Sequence, residues 1–466
     1  SKVSSDGKTL RPAYLVWDLK KLFPKLVVTE EEALLMTQRE LTPGEGLEFV
    51  IRGVRDRYLG VDESWKELYT WYRQNEGQKV DRILDAGFFK KKPDALTGEE
   101  AAELYGEKKQ FSVTRMERFS ACAYAHFLTY GLHLSDRERY EFEAMDLGNI
   151  AHQSMERFAR KAQEKRMPWP KLEEVQRDAM IEESVEESIK DYGNTVLYST
   201  ARNEYMIVRI KQLIRRSVWA LTRQMEKGDF EPSGYEMNFG SGKIDRVDTC
   251  EDEDVVYVKV TDYKTGMKSF DIVALYHGLQ MQLPVYLNAA LELEERRASG
   301  KTVEPAGIFY YRIKDPIVDR EKDDHALEEK ILKELRLDGM INAKEEVIEH
   351  LEHQLSGTSV LNPIGKNKDG SLNRYSKVLP PEAFAAMLSY TKKKEARVKR
   401  QIYAGEVQAN PYELNGSTGC DYCAYRDICG FDPRLDGYAY RSLEKYSKEE
   451  VIRRMEEEIE NREEPS

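Results

Sequence analysis

The 466-residue sequence has no apolar run approaching about 18 residues, so it predicts no transmembrane helix. No basic segment leads into an apolar stretch, so no secretory signal is expected and the chain is expected in the cytoplasm. Cysteine is scarce: there are five, an odd number, and without an export signal they suit metal or cluster ligation better than a disulfide framework. Positive charge is in deficit as well, with 72 Lys and Arg against 84 Asp and Glu for a net −12, which at first sight disfavours a nucleic-acid partner. Gly7-Lys8-Thr9 hints at a phosphate loop, but the glycine required five residues before the Gly-Lys pair is absent and Lys2 stands there. There is no internal repeat. The chain opens on Ser1-Lys2-Val3 without an initiator Met, in mid-pattern, which suggests a piece of a longer protein.

Hydrophobic residues make up 40% and charged residues 33%, enough apolar material for a large core. At roughly 150 residues per domain the length suggests about two to four domains. Leu34, Leu35 and Met36 form one apolar run, and Trp65, Leu68, Tyr69 and Tyr72 recur at helical spacing, as on a packed helix face. Helices are predicted at 112–134, with no capping box at Ser112, and at 145–165, ending before Pro168-Trp169-Pro170. Two more are predicted at 173–192, strongly acidic, and at 202–226. At 234 the period changes from 3.6 to 2. Tyr235, Met237 and Phe239 alternate with polar residues, then 243–247 and 255–263 flank an acidic turn, which reads as a β-meander. A helix at 275–297 and a strand at 306–313 follow, and 320–405 reads as mostly helical with a polar loop near 362–377. The order implies an α/β core with a mixed sheet flanked by helices.

Chemistry concentrates in the meander. In a strand, residues i and i+2 share a face, so Asp262 and Lys264 point one way and Tyr263 the other. If the strands pair as a hairpin, Asp245 lies beside Asp262. Two carboxylates on one face suit a hard divalent cation such as Mg²⁺, which is held by one or two carboxylates plus substrate phosphate oxygens. A neighbouring lysine can activate water and offset charge on the phosphorane, giving the parts for metal-assisted phosphodiester hydrolysis. Gln282 and Tyr286 lie one helical turn apart, as do His152 and Glu156. Glu156 and Glu236 are candidate auxiliary carboxylates.

Cys420-x2-Cys423-x5-Cys429 offers three thiolates in a segment made turn-rich by Gly416, Gly419 and Gly430. Tetrahedral zinc or a cubane cluster needs a fourth ligand. Spacing leaves both Cys122 and Cys250 available, and leaves zinc open.

Taken in order, Gly148-x3-His152, Ile244-Asp245-Arg246-Val247-Asp248, Asp262-Tyr263-Lys264-Thr265-Gly266 and Gln282-x3-Tyr286 resemble the RecB-type branch of the PD-(D/E)xK nucleases. The resemblance implies that His152, Asp245, Asp262 and the Tyr263 carbonyl ligate Mg²⁺, that Lys264 is the catalytic lysine, and that Gln282 and Tyr286 position the DNA strand. A lone Cys before the core and Cys-x2-Cys-x5-Cys after it are similar to the iron–sulfur staple of the AddB family of bacterial AddAB helicase–nucleases. That implies a [4Fe–4S] cluster on Cys122, Cys420, Cys423 and Cys429, leaving Cys250 a free thiol. Such a staple joins distant segments and restricts the unfolded chain. Thr9-Leu-Arg-Pro-Ala-Tyr-Leu15 and Leu22-Phe-Pro-Lys-Leu26 also resemble the end of that family's helicase-like part.

The implied organisation is a helicase-like remnant and linker over 1–110, a nuclease core over 111–320, a helical extension over 321–415, and a cluster segment with acidic tail over 416–466. The implied activity is exonucleolytic cutting of single-stranded DNA, on the 5′-ended strand, in double-strand-break processing and recombinational repair. An AddA subunit would carry the motor. Other readings are a CRISPR-adaptation nuclease, whose chain would be much shorter, or a DNA-replication nuclease, a non-catalytic DNA-end-binding scaffold, and a zinc-stabilised interaction module.

The net charge is local. Residues 173–191 carry −6, the turn 251–254 carries −4 and the tail 444–464 carries −4, so the remainder is close to neutral. Within it, 392–400 holds six bases and one acid. A DNA path along that run is expected to keep clear of the acidic helix and tail.

Overall fold

The structure, a computed structural model, describes residues 13–27, 42–55, 63–88, 95–106, 111–135, 144–192, 200–240, 242–298, 300–321, 323–435 and 437–460. The strings Gly7-Lys8-Thr9 and Leu34-Leu35-Met36, the start at Ser1 and part of the 9–15 string lie outside them. The chain divides into two compact units, residues 1–91 with 434–437, and residues 92–433 with 438–466.

The smaller unit holds helices α1 (Tyr14–Leu22), α2 (Pro43–Arg55), α3 (Glu63–Asn75) and α4 (Gly77–Gly87). A capping box starts α2: Glu45 N–H donates to Thr42 Oγ1 and Thr42 N–H donates to Glu45 Oε2. Val50, Tyr72 and Val80 form a small core, with Trp65, Leu68 and Tyr69 packed against it. The apolar stripe read on α3 is therefore a packing face.

The larger unit is built on six strands. These are β1 (Glu231–Phe239), β2 (Gly242–Glu251), β3 (Val255–Lys264), β4 (Thr302–Arg312), β5 (Asp338–Asn342) and β6 (Val378–Leu379), side by side in chain order. The first three form the antiparallel meander, β3 and β4 run parallel, β4 and β5 antiparallel, and β5 and β6 parallel. This is the mixed α/β sheet that the sequence predicts.

Helices cover both faces, because each strand alternates two buried sets of side chains. On one face Tyr257, Tyr263, Phe309 and Tyr311 meet α8 (Ala144–Glu164), α9 (Glu174–Asp191) and α10 (Ala201–Met225) through Phe158, Ile181 and Ile214. On the other, Val258, Val260 and Ile308 belong to one core with α5 (Gly98–Tyr105), α6 (Val113–Ala121), α12 (Gln282–Glu295), α15 (Pro381–Tyr403) and α17 (Lys448–Glu460) through Ala101, Met116, Leu287, Phe384 and Met455. Each large apolar side chain so buried contributes about 1.5–3 kcal/mol.

Three elements differ from the sequence-based expectation. The 112–134 helix breaks at Cys122, which is extended (φ −166°), and resumes as α7 (Ala123–His126) and a π turn at Phe127–Gly131. The Ala123 N–H donates to Asn410 Oδ1 and the Tyr124 N–H to Gln408 O, both at 2.9 Å, so tertiary acceptors replace the helical ones. The 275–297 helix is two, α11 (Ile272–Tyr276) and α12, separated by a turn at Gly278 (φ +81°). The stretch read as mostly helical supplies α13 (Asp324–Glu334) and α14 (Glu345–Leu351), but also the strands β5 and β6. These strands are too short for a period-2 signal; β5 is recruited by the edge of β4 and β6 by the edge of β5. Past α15, β7 (Tyr412–Leu414) pairs with β8 (Ser417–Thr418) and β9 (Arg441–Ser442), with the short α16 (Arg426–Cys429) between β8 and β9.

Candidate active site

β2 and β3 pair with Arg246 opposite Thr261 and Val247 opposite Val260, a register that sets Asp245 opposite Asp262. The hairpin expected from the sequence is therefore present, and it brings the two carboxylates together. The Tyr263 N–H donates to Asp245 Oδ2 at 2.7 Å, which fixes that carboxylate at the end of the sheet. His152 on α8 brings its Nδ1 to 3.3 Å from the same oxygen. A Cβ on Gly148, one turn before His152, would stand 3.1 Å from Thr265 Oγ1, so α8 passes close to the residue that follows β3. Asp262 is 1% exposed, and its Oδ2 is ion-paired with Lys264. Its Oδ1 accepts from Gln282 Nε2 at 2.9 Å, and that nitrogen also donates to Tyr286 OH at 2.9 Å. His152 comes from one helical layer and Gln282 and Tyr286 from the other, so the site sits where both layers reach the sheet end.

Of the auxiliary carboxylates, Glu236 places a donor atom beside those of His152 and Asp245, whereas Glu156 is near enough to act on Glu236 through its charge. Donor atoms of His152, Glu236 and Asp245 all lie within 4.8 Å of one another. Glu236 adopts φ +46° and pairs with Lys243 at 3.5 Å. Glu156 is engaged by Arg160 at 2.8 Å.

The electrostatics are those of a site holding more negative charge than its own side chains balance. Burial, and then the Asp245 carboxylate, push the Asp262 carboxyl well above the ordinary aspartate range. Burial, Asp245 and Glu156 likewise raise Glu236. Burial works against a charged His152, but Asp245 outweighs it and raises the imidazole. A divalent cation among these donors reverses the penalty on the carboxylates. One imidazole plus several carboxylate oxygens is also a donor set such an ion accepts.

Sequence reasoning missed Glu117. It is half-buried in α6, and its Oε1 accepts from the N–H groups of Met281 (2.7 Å) and Gln282 (3.0 Å), the start of α12. It therefore anchors the helix end that carries Gln282. A lone Glu in Thr-Arg-Met-Glu-Arg-Phe gives no sign of this in sequence.

Four cysteines come together at the far side of α6. Cys122 is 6% exposed and packs with Ala125, Leu128, Tyr425 and Cys423. Cys420 is close enough to Cys122, Cys423 and Cys429 that each thiol raises its pKa, after burial. Thiols that discourage one another's ionisation in this way suit a bound metal centre, which relieves that penalty. Tyr425 OH donates to Leu134 O at 2.7 Å and accepts from Thr129 Oγ1 at 3.1 Å, tying the cysteine loop to the broken helix. Cys250 lies elsewhere, on β2, with donor atoms of Asp229 and His350 within 4.8 Å.

The charged segments differ from expectation. On α9, Glu182 and Glu186 meet Lys211 of α10, and Glu183 and Glu187 meet Lys161 of α8. The acidic tail does not keep clear of the basic run. Lys393 Nζ donates to the Glu458 and Ile459 carbonyls at 2.9 and 2.8 Å, and Arg397 pairs with Glu458 at 3.1 Å. The carbonyl end of α17 is a natural seat for a lysine.

A mixed sheet with an Asp-Asp-Lys cluster at its end, flanked by an imidazole from one layer and a Gln–Tyr pair from the other, defines a PD-(D/E)xK nuclease core. The model of the PD-(D/E)XK nuclease superfamily matches residues 110–430, more than half of the sequence, and the chain belongs to that superfamily. Among curated proteins it is 36% identical, over 97% of its length, to the B-type subunit of the ATP-dependent helicase/deoxyribonuclease of Lachnoclostridium phytofermentans, covering 41% of that protein. It is 32% identical over 98% of its length to the corresponding protein of Alkaliphilus oremlandii (42% covered), and 32% over 96% to that of Caldanaerobacter subterraneus (41% covered). The chain thus spans about two fifths of the length of these relatives. Among the described residues no helix is long and apolar enough to cross a membrane.

Proposed function

We propose that this chain is the nuclease-bearing part of an AddB-type protein. In this reading it acts as a Mg²⁺-dependent exonuclease on single-stranded DNA, trimming the 5′-ended strand during cytoplasmic double-strand-break processing and recombinational repair. Its partner is a motor subunit of the AddA type. The observation that carries the reading is the convergence of His152, Asp245, Asp262 and Lys264 at one end of the sheet.

His152, Asp245, Asp262 and the Tyr263 carbonyl would hold Mg²⁺, with Glu236 near enough to assist. When bound, Mg²⁺ supplies charge neutralisation at the scissile phosphate and acidifies a water. The chain's own groups do the rest. Lys264 orients the attacking water and offsets negative charge developing on the phosphoryl oxygens. Gln282 and Tyr286, held in register by Glu117, fix the DNA strand beside the carboxylates. Cys122, Cys420, Cys423 and Cys429 would hold a [4Fe–4S] cluster, clamping the C-terminal loop onto the core.

The test uses end-labelled single-stranded DNA with Mg²⁺, with and without the motor subunit. Cleavage from the 5′ end that disappears in Asp262→Ala and Lys264→Ala supports the reading. Cleavage equal to the parent in both variants would place catalysis elsewhere, and DNA-end binding without cleavage by the parent complex would make the chain a scaffold.

A further inference from the structure

A second donor cluster lies at the other end of the same sheet. Along β2, Cys250 follows Asp245 by five residues, about 17 Å at strand rise. Cys250 is 4% exposed and pairs in register with Tyr257 of β3. Donor atoms of Cys250, of Asp229 just before β1 and of His350 on α14 all fall within 4.8 Å of one another. The Asp229 carboxylate is the meeting point of two imidazoles: His350 Nδ1 is 2.8 Å from Oδ2 and His353 Nε2 is 2.9 Å from Oδ1. The outward nitrogen of each ring faces another carboxylate, His350 Nε2 at 3.8 Å from Asp252 and His353 Nδ1 at 3.7 Å from Glu349.

We propose that Asp229, Cys250, His350 and His353 form a structural zinc site that clamps α14 and the turn after it to the ends of β1 and β2. Thiolate, two imidazoles and one carboxylate make a tetrahedral zinc set, and a thiol with imidazoles is a poor set for Mg²⁺ or Ca²⁺. Ligand atoms of such a site stand about 3.3–3.8 Å apart at ordinary zinc bond lengths; those of Asp229, Cys250 and His350 already lie within 4.8 Å of one another, and His353, held on Asp229, completes the set by moving toward them. Asp252 and Glu349 stand where outer carboxylates hold metal-bound imidazoles in orientation. The backbone is already fixed for this. The Asp229 N–H donates to His350 O at 2.8 Å and the His353 N–H to Lys227 O at 2.7 Å. A Cβ on Gly228 would come within 2.4 Å of His350 O, so only glycine lets the two segments lie this close. With four protein ligands and no open position, the site is structural rather than catalytic. It is separate from the nuclease donors and does not depend on the proposed function.

The test is metal content of the purified chain after dialysis against metal-free buffer, with zinc and iron measured together by mass spectrometry. One zinc per chain is expected in the parent and in Cys423→Ser. It should be lost in Cys250→Ser and in His350→Gln, with iron unchanged. Zinc that disappears with Cys423→Ser but survives both Cys250→Ser and His350→Gln would overturn the site, as would a parent that takes up no zinc when titrated with zinc chloride. Should those variants fold poorly, cobalt titration of the parent decides. A thiolate-to-cobalt charge-transfer band in the difference spectrum supports the site, and cobalt binding without that band refutes it.

Discussion

Glu117 offers the sharpest test of how the site is assembled. Its carboxylate is the acceptor for two backbone N–H groups at the start of α12, the helix that presents Gln282 to Asp262. Replacing it with Ala leaves two buried donors without partners, at about 1–3 kcal/mol each, and removes a negative group from a helix N-terminus. Since α12 can relax by part of a turn, a loss of about 2–4 kcal/mol in unfolding free energy is expected for Glu117→Ala. Nuclease turnover should fall at least about tenfold, equivalent to about 1.4 kcal/mol of transition-state stabilisation. Glu117→Gln keeps a carbonyl acceptor for both N–H groups. Burial also raises the Glu117 carboxyl above the ordinary range. A carboxyl raised in the folded state binds its proton more tightly there, so its ionisation subtracts stability as pH rises through the unfolded value. Glu117→Gln removes that cost, and at neutral pH it should match or exceed the parent in stability. Urea unfolding with both variants, followed by single-turnover cleavage, measures both effects. Parent-like stability and cleavage in Glu117→Ala would refute the anchoring role, as would equal damage from Ala and Gln.

Further predictions concern the other buried groups. Ser substitution of Cys122, Cys420, Cys423 or Cys429 should abolish the brown absorbance of an iron–sulfur centre, and Cys250→Ser should leave it; a colourless parent would dismiss the cluster. Arg246 and Asp248, both buried, form an ion pair with Nε–Oδ1 at 2.7 Å, and Lys259 lies 3.8 Å from Oδ2. Asp248→Ala should therefore cost about 3–5 kcal/mol by stranding the arginine, while the pair Arg246→Met with Asp248→Leu should cost clearly less in the same urea titration. His126 is fully buried, accepts from Arg115 Nε at 3.0 Å, and is pushed down to about 3 by burial and then by Arg115 and Arg118. Its folded value lies below its unfolded one, so its contribution is complete above the ordinary histidine range and is lost as pH falls from about 6.5 toward about 3. Between pH 6.5 and 5 the parent should lose about 2 kcal/mol that His126→Gln does not lose; identical pH profiles would count against a neutral buried imidazole.

Much of the candidate site was legible in the sequence. Period-2 alternation around Asp245 and Asp262 told which side chains share a face, and the meander itself brought them opposite one another. The long helices α8, α9 and α10 and the strand β4 were equally plain, because an amphipathic period survives whatever packs on it. Elements whose ends are decided by distant partners were not legible. Cys122 breaks its helix because Asn410 and Gln408 accept the N–H groups beyond it. The α11–α12 division exposes two N–H groups that Glu117, 164 and 165 residues away, accepts. β5 forms on the edge that β4 offers, and β6 on the edge that β5 then offers.

By itself, then, the sequence determined the residue types, their order and the faces of the strands, since these follow from local backbone geometry. Only the tertiary structure decided that Cys122 packs beside Cys423, that Glu117 anchors the start of α12, and that Cys250 lies with His350 and Asp229. The same folding brought the acidic tail onto the basic run. Each of these is a contact between segments far apart in the chain, set by how two helical layers close on one sheet, and no spacing along the chain encodes it.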